Sequence, residues 1–248
     1  MTANRRMGGK ILADGLKAQG VDAIFGVPGE SFLALLDGLY DQRDTIRFIT
    51  CRQEGGAANM AEAYGKLTGR PGVCVVTRGP GATNASVGLH TAFQDSTPMI
   101  LLVGQVGREM LDREAFQEVN HQIFFSEMSK WSAEIKDASR IPEYLSHAFH
   151  VALSGRPGPV VLSLPEDMLR DVAAVEDAPR AIPVQPAPTM EQISEAREML
   201  EKAERPLMIL GGSGWSPEAS LFITHFAEQQ DLPVAVTFRC QDLSLIHI

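Results

Sequence analysis

Cysteine is scarce in this 248-residue chain: only Cys51, Cys74 and Cys240 occur, too far apart for any metal-ligand spacing. Cys51 and Cys74 each sit in an apolar run, where a free thiol behaves as a small hydrophobe. Neither a disulfide framework nor a thiol nucleophile is expected. Positive charge is also short, with 22 Lys and Arg against 31 Asp and Glu, a net charge of -9 and no basic run. That excludes a sequence-independent grip on nucleic acid or anionic lipid. No apolar stretch approaches the ~20 residues that span a bilayer. The first ten residues carry two arginines but no apolar core, so no signal peptide is expected and the cytoplasm is the expected location. What remains is a composition of 44% hydrophobic and 21% charged residues, that of a soluble globular protein. The length suffices for one complete α/β domain and part of another.

Short runs that are apolar throughout alternate with helical periodicity. Runs at 23–27, 46–51, 73–77, 99–103 and 159–164 read as strands. Helices are expected at 7–16, where Gly20 supplies the stop, at 32–40, 54–67, 82–93 and 141–153. Strands without polar alternation, separated by helices, mean a parallel sheet covered on both faces. The expected fold class is therefore α/β, a doubly wound parallel sheet over residues 1–165. From 166 to 189 the periodicity stops and Pro179, Pro183, Pro186 and Pro188 recur, as in a semi-extended linker. A second α/β unit is expected over 190–248, with helices at 190–203 and 217–229 and strands at 207–210 and 234–237. Two helices and two strands are too few to bury a core, so this unit is expected to be incomplete. Residues 243–248 fit no element, which points to a truncation.

Three segments follow strands directly, where an open parallel sheet binds ligands: Val27-Pro28-Gly29-Glu30, Arg52-Gln53-Glu54-Gly55-Gly56-Ala57-Ala58 and Thr77-Arg78-Gly79-Pro80-Gly81-Ala82-Thr83-Asn84. Glu54 starts a helix, a position that any first-turn Glu favours for the sake of the dipole. The small residues after it strip the turn of bulk, so a flat group that hydrogen-bonds a carboxyl can approach. Gly79-Pro80-Gly81 is either a phosphate cradle or a rigid turn; no Lys follows it as in a P-loop. Gly211-Gly212-Ser213-Gly214 is either a nucleotide edge or a plain turn.

Taken together, these segments resemble the acetolactate synthase family of thiamin diphosphate enzymes, in its pyrimidine-binding domain and the start of its central domain. Further marks are Phe25 to Gly29, Ala63-Tyr64-Gly65, Thr68 to Val73, Gly104-Gln105-Val106, Ala115-Phe116-Gln117-Glu118 and Ser154 to Pro159. The resemblance implies that Glu54 holds a proton against a ring nitrogen of the cofactor's aminopyrimidine. It places Val27, Pro28, Thr77, Pro80 and Asn84 around that ring. Phe116 and Gln117 fall on the substrate side, with Gln117 beside Glu54 in the catalytic set. Arg156 matches a residue that contacts FAD in flavin-containing members. No metal ligand is expected here: Mg2+ and the diphosphate belong to a further domain beyond residue 248. The implied substrate is a 2-oxo acid, and the implied assembly is a homodimer or homotetramer with the active site between subunits. The chain alone is then expected to be inactive.

Three residues depart from the family pattern: Glu30 for a second Gly, Gln53 for a His and Arg78 for a Ser. They bear on the acceptor specificity. Two alternatives stand beside this reading: another thiamin-dependent lyase or decarboxylase, and, from a different class, a non-catalytic α/β domain that binds a nucleotide or a partner, against which Glu54 in its full context speaks.

Overall fold

A computed structural model describes residues 4–184 and 186–243. The chain divides into two compact units, one ending at Val184 and one following it. In the first, strands β2 (Ala23–Gly26), β4 (Gly72–Val76), β5 (Met99–Gln105) and β7 (Pro159–Pro165) are buried at every residue. With the edge strands β3 (Arg47–Thr50) and β6 (Trp131–Glu134) they make a six-stranded sheet in the order β3-β2-β4-β5-β7-β6, parallel throughout. A short antiparallel pair, β1 (Arg5–Met7) with β8 (Val172–Ala174), lies apart from it.

The pleat sends alternate side chains to opposite faces. Val73 and Val75 of β4, with Ile100 and Leu102 of β5, meet α1 (Gly8–Ala18), α2 (Leu33–Asp41) and α6 (Ile141–Leu153). Cys74 and Val76, with Leu101 and Val103, meet α3 (Glu54–Thr68) and α4 (Gly79–Asp95). A short helix α5 (His121–Phe124) leads into Phe125 on this second face. Each fully buried Val, Leu or Ile contributes about 1.5–3 kcal/mol, which makes the two layers the main source of stability.

Glycine lets the helices close on one another. A Cβ on Gly9 would stand 2.1 Å from the Ala34 carbonyl oxygen, so α1 and α2 cross in backbone contact. On the other face a Cβ on Gly88 would stand 2.6 Å from Ala58, joining α3 to α4. α3 ends on Gly69, left-handed at φ 66°.

The chain leaves β2 for β3 on one side and then crosses to β4 on the other. The carboxyl ends of β2 and β4 therefore flank the switch point where open α/β sheets bind ligands.

The expected α/β class holds, with differences at particular elements. α4 begins at Gly79 rather than at residue 82, because Pro80 is tolerated in a first turn. Strand β6 was not expected. Part of the stretch expected as linker is packed structure: a 3-10 turn at Met168–Arg170 and then β8, with Met168, Leu169 and Ala181 buried in the core.

The second unit contains α7 (Met190–Lys202), β9 (Met208–Leu210), α8 (Pro217–Gln229) and β10 (Val234–Val236), close to the expected ranges. Thr189 and Gln192 form a capping box at the start of α7. β9 and β10 pair in parallel, and the described core is small: Leu210, Cys240 and Leu243. Gly212 and Gly214 are left-handed and Trp215 Nε1 donates to the Gly211 carbonyl, a turn locked by its own contacts. Leu243 closes a 3-10 segment, Phe238–Leu243, and the rest of the expected structureless tail, 244–248, lies outside the described residues.

Candidate active site

Glu54 is the first residue of α3, directly after β3, and is partly exposed. Its N-cap is Gln53, whose side chain accepts the Gly56 N–H at 2.8 Å. One carboxylate oxygen of Glu54, Oε2, accepts from Asn84 Nδ2 at 3.0 Å. Asn84 lies in the second turn of α4, so this bond ties together two helix starts at one edge of the sheet. The other oxygen, Oε1, has no partner among the described residues. The small residues around Glu54 serve a purpose other than the expected open cradle. Gly55, Ala57 and Ala58 are buried, and a Cβ on Gly55 would stand 3.2 Å from the Asn84 carbonyl oxygen. They allow α3 and α4 to approach, and that approach is what brings Asn84 to Glu54. Gly56 alone remains open.

Val27 and Pro28 follow β2, and Thr77 follows β4, at the same edge. A Cβ on Gly29 would stand 2.6 Å from the Thr77 side chain, and Ser31 Oγ lies 2.7 Å from Thr77 Oγ1. The loop after β2 is thus pinned across the end of β4. Gly79 N–H donates to the Gln117 carbonyl at 2.8 Å, so this amide is committed to a loop contact. Of the two readings of Gly79-Pro80-Gly81, the rigid turn accounts for Gly79.

The loop from 112 to 118 carries three non-glycine residues in the left-handed region, Asp112 (φ 62°), Glu114 (φ 52°) and Gln117 (φ 64°). Such strain persists only where surrounding contacts impose it, and it concentrates at functional loops. The contacts here are the Glu118 carboxylate, which accepts from the Asp112 N–H at 2.7 Å and the Ala115 N–H at 3.0 Å, and Gly79 beneath Gln117. Those backbone N–H bonds hold the Glu118 carboxyl below its ordinary range. Phe116 is left 73% exposed on this loop.

Residues 6–124 match the family described as "Thiamine pyrophosphate enzyme, N-terminal TPP binding domain". The chain is similar to the acetolactate synthase-like thiamin diphosphate enzymes. It is 37% identical to acetolactate synthase of Arthrospira platensis over 241 residues, covering 94% of this chain and 42% of that protein. It is 35% identical over 234 residues to the acetolactate synthase isozyme 2 large subunit of Escherichia coli K12, covering 94% and 42%. For the acetolactate synthase large subunit of Lactococcus lactis the identity is 35% over 235 residues, covering 93% and 40%. The chain spans about two fifths of the length of these curated relatives.

Within the matched residues, the donor set at the carboxyl edge has the hydrogen-bonding groups to hold an aminopyrimidine. Glu54 offers an unengaged carboxylate oxygen, and Asn84 fixes the other. Arg156 stands elsewhere. Its guanidinium donates to Ser96 Oγ at 2.6 Å and to the Gln94 carbonyl at 3.1 Å, at the far end of α4. A 17-residue helix is about 25 Å long, so Arg156 is not gathered with Glu54. A cavity of about 270 Å³ lined by Val21, Asp22, Tyr64, Arg70 and Pro71 lies at the opposite edge, where β2 and β4 begin.

Sequence reasoning missed two buried polar groups. Arg78, named only as a departure, is bonded to both Glu30 and Glu166. His121 lies beside Gln105 and Ser163, with its Nδ1 2.9 Å from Ser163 Oγ and its Nε2 buried without a partner among the described residues. Burial pushes its pKa down to about 4. A lone His at the start of a four-residue helix gives no signal of this in sequence.

Proposed function

We propose that this chain supplies the pyrimidine-binding part of an enzyme that uses thiamin diphosphate to decarboxylate or ligate a 2-oxo acid such as pyruvate. One observation carries the reading: a helix-start carboxylate at the switch-point edge, with Oε2 held by Asn84 and Oε1 unengaged. When bound, the cofactor supplies the carbanion chemistry. Glu54 holds a proton at the ring nitrogen, and Asn84 fixes its rotamer. Val27, Pro28, Thr77 and Pro80 line the ring, and Phe116 and Gln117 face the substrate.

Pro28, Pro80, Asn84 and Phe116 are all exposed, so another surface has to cover the ring to exclude water. A homodimer or homotetramer with the site between subunits provides that surface. The same reading assigns Mg2+ and the diphosphate to another part of the enzyme. Any contact of Arg156 with FAD is separate from the Glu54 site, since that guanidinium lies at the other end of α4. A cytoplasmic location belongs to the same reading. No described helix is long and apolar enough to cross a membrane.

The test is Glu54→Gln in the whole protein. Hydrogen exchange at the C2 position of bound cofactor, followed by NMR, is expected to slow by about 10²–10⁴, the usual cost of a lost acid–base group. Exchange at the wild-type rate would remove Glu54 from the chemistry and the reading with it.

A further inference from the structure

Three charged residues meet across the switch point: Glu30 after β2, Arg78 after β4 and Glu166 after β7. Arg78 Nη1 donates to Glu30 Oε1 at 2.9 Å, and Nη2 donates to Glu166 Oε2 at 2.8 Å. The arginine side chain is only 10% exposed, and its Nε is buried with no partner among the described residues. The two carboxylates differ. Glu166 is 34% exposed, whereas Glu30 is 68% exposed, although it rests on a buried guanidinium. The Nη1 edge therefore lies one exposed side chain beneath solvent.

From this we infer that Arg78 sets substrate specificity: its Nη1 edge takes the carboxylate of the incoming 2-oxo acid, and Glu30 is the exchangeable occupant of that edge. The inference rests on the proposed function and names what the site selects. The physical case begins with Glu30. An ion pair whose carboxylate is mostly in water contributes little, because the carboxylate regains its hydration on leaving. A ligand carboxylate meets the same planar donor and offers the same charge-assisted bond. Glu166 stays on Nη2 and holds the guanidinium plane in place. The resting trio carries a net charge of -1, and exchanging one carboxylate for another keeps it so. A neutral ligand that displaced Glu30 would forfeit the bond without replacing it, so the site selects anions. The incomplete hydrogen bonding of Arg78 agrees with this, since a buried Nε without a partner is the exception in folded proteins.

The test uses the whole protein and equilibrium binding by calorimetry of oxamate, an isostere of pyruvate that keeps its carboxylate, and of pyruvamide, which lacks it. Oxamate is expected to bind about tenfold more weakly to Arg78→Gln, the loss of one bond to a charged group. It is expected to bind severalfold more tightly to Glu30→Gln, because the internal competitor is gone. Pyruvamide affinity should move with neither. A merely structural ion pair would weaken both variants or leave both unchanged, and either result overturns the inference. So does wild-type protein that binds pyruvamide as well as oxamate. Glu30 is exposed, so Glu30→Gln decides the matter alone if Arg78→Gln fails to fold. Thiamin diphosphate binding measured in parallel keeps the two ideas apart. Its absence in the wild type counts against the proposed function, while the oxamate series still decides Arg78.

Discussion

His121 offers a quantitative test of the fold, because it is a titratable group that the structure holds neutral. It is 2% exposed, Ser163 Oγ lies 2.9 Å from its Nδ1, and its Nε2 meets no partner among the described residues. Burial pushes its pKa from 6.5 down to about 4. In the unfolded chain the imidazole takes up a proton near pH 6.5; in the folded chain it does so only near pH 4. Between those values the unfolded state binds more protons, so stability falls as the pH falls. The contribution is complete above about pH 6.5 and is lost progressively towards pH 4. At 1.36 kcal/mol per pH unit, the gap is worth on the order of 3 kcal/mol. His121→Gln keeps an amide that can meet Ser163 and does not titrate. Urea unfolding of both proteins at several pH values from 7.5 to 4.5 isolates the effect in their difference. Carboxyls held low, such as Asp22 beside Tyr64 and Arg70, and Glu134, whose carboxyl burial raises, act equally in both proteins. The difference should shift by about 3 kcal/mol against the wild type as the pH falls. Parallel curves would refute the neutral, buried histidine.

Gly9→Val is expected to destabilise the first unit strongly. Its Cβ would stand 2.1 Å from the Ala34 carbonyl oxygen, and overpacking against backbone costs about 1–3 kcal/mol or more; an unchanged thermal midpoint would show that α1 and α2 can part freely. The chain alone is expected to bind thiamin diphosphate weakly or not at all, because it combines a net charge of -9 with no described metal-holding group. Calorimetry with magnesium checks this, and micromolar binding by a monodisperse sample would overturn the division of the site.

The central strands were legible in the sequence because burial on both faces makes them apolar throughout. β5 and β7 advertise themselves in this way, and α6 and α8 match their expected ranges to the residue. β6, with the sequence Trp-Ser-Ala-Glu, was not legible, since an edge strand alternates and four residues carry too little pattern. β1 and β8 are three residues each and exist only as a pair 165 or more residues apart in sequence, which no local signal reports. Within the candidate site, the helix start at Glu54 was legible. The role of its neighbours was not: Gly55 and Ala58 face α4, and only the crossing of two helices shows why they are small.

The three departures from the family pattern have different physical meanings once the contacts are known. Gln53 precedes Glu54, which places it near the chemistry by sequence, yet its side chain caps α3 through the Gly56 N–H. That is an ordinary helix-start function, and it fixes the backbone from which Glu54 projects. Glu30 and Arg78 are 48 residues apart and read as unrelated oddities, but they are partners in one ion pair. A charge introduced alone at a buried position such as that of Arg78 is costly, whereas a paired one is tolerated, so Glu30 and Glu166 together account for Arg78. Substituting Glu30 or Arg78 alone towards the family pattern breaks their pair. Arg78→Ser leaves two carboxylates, Glu30 and Glu166, facing each other across the space of the guanidinium. Glu30→Gly leaves Arg78 with Glu166 alone and Nη1 open to water. The two changes therefore differ in kind: the first builds repulsion into the switch point, and the second uncovers a donor there.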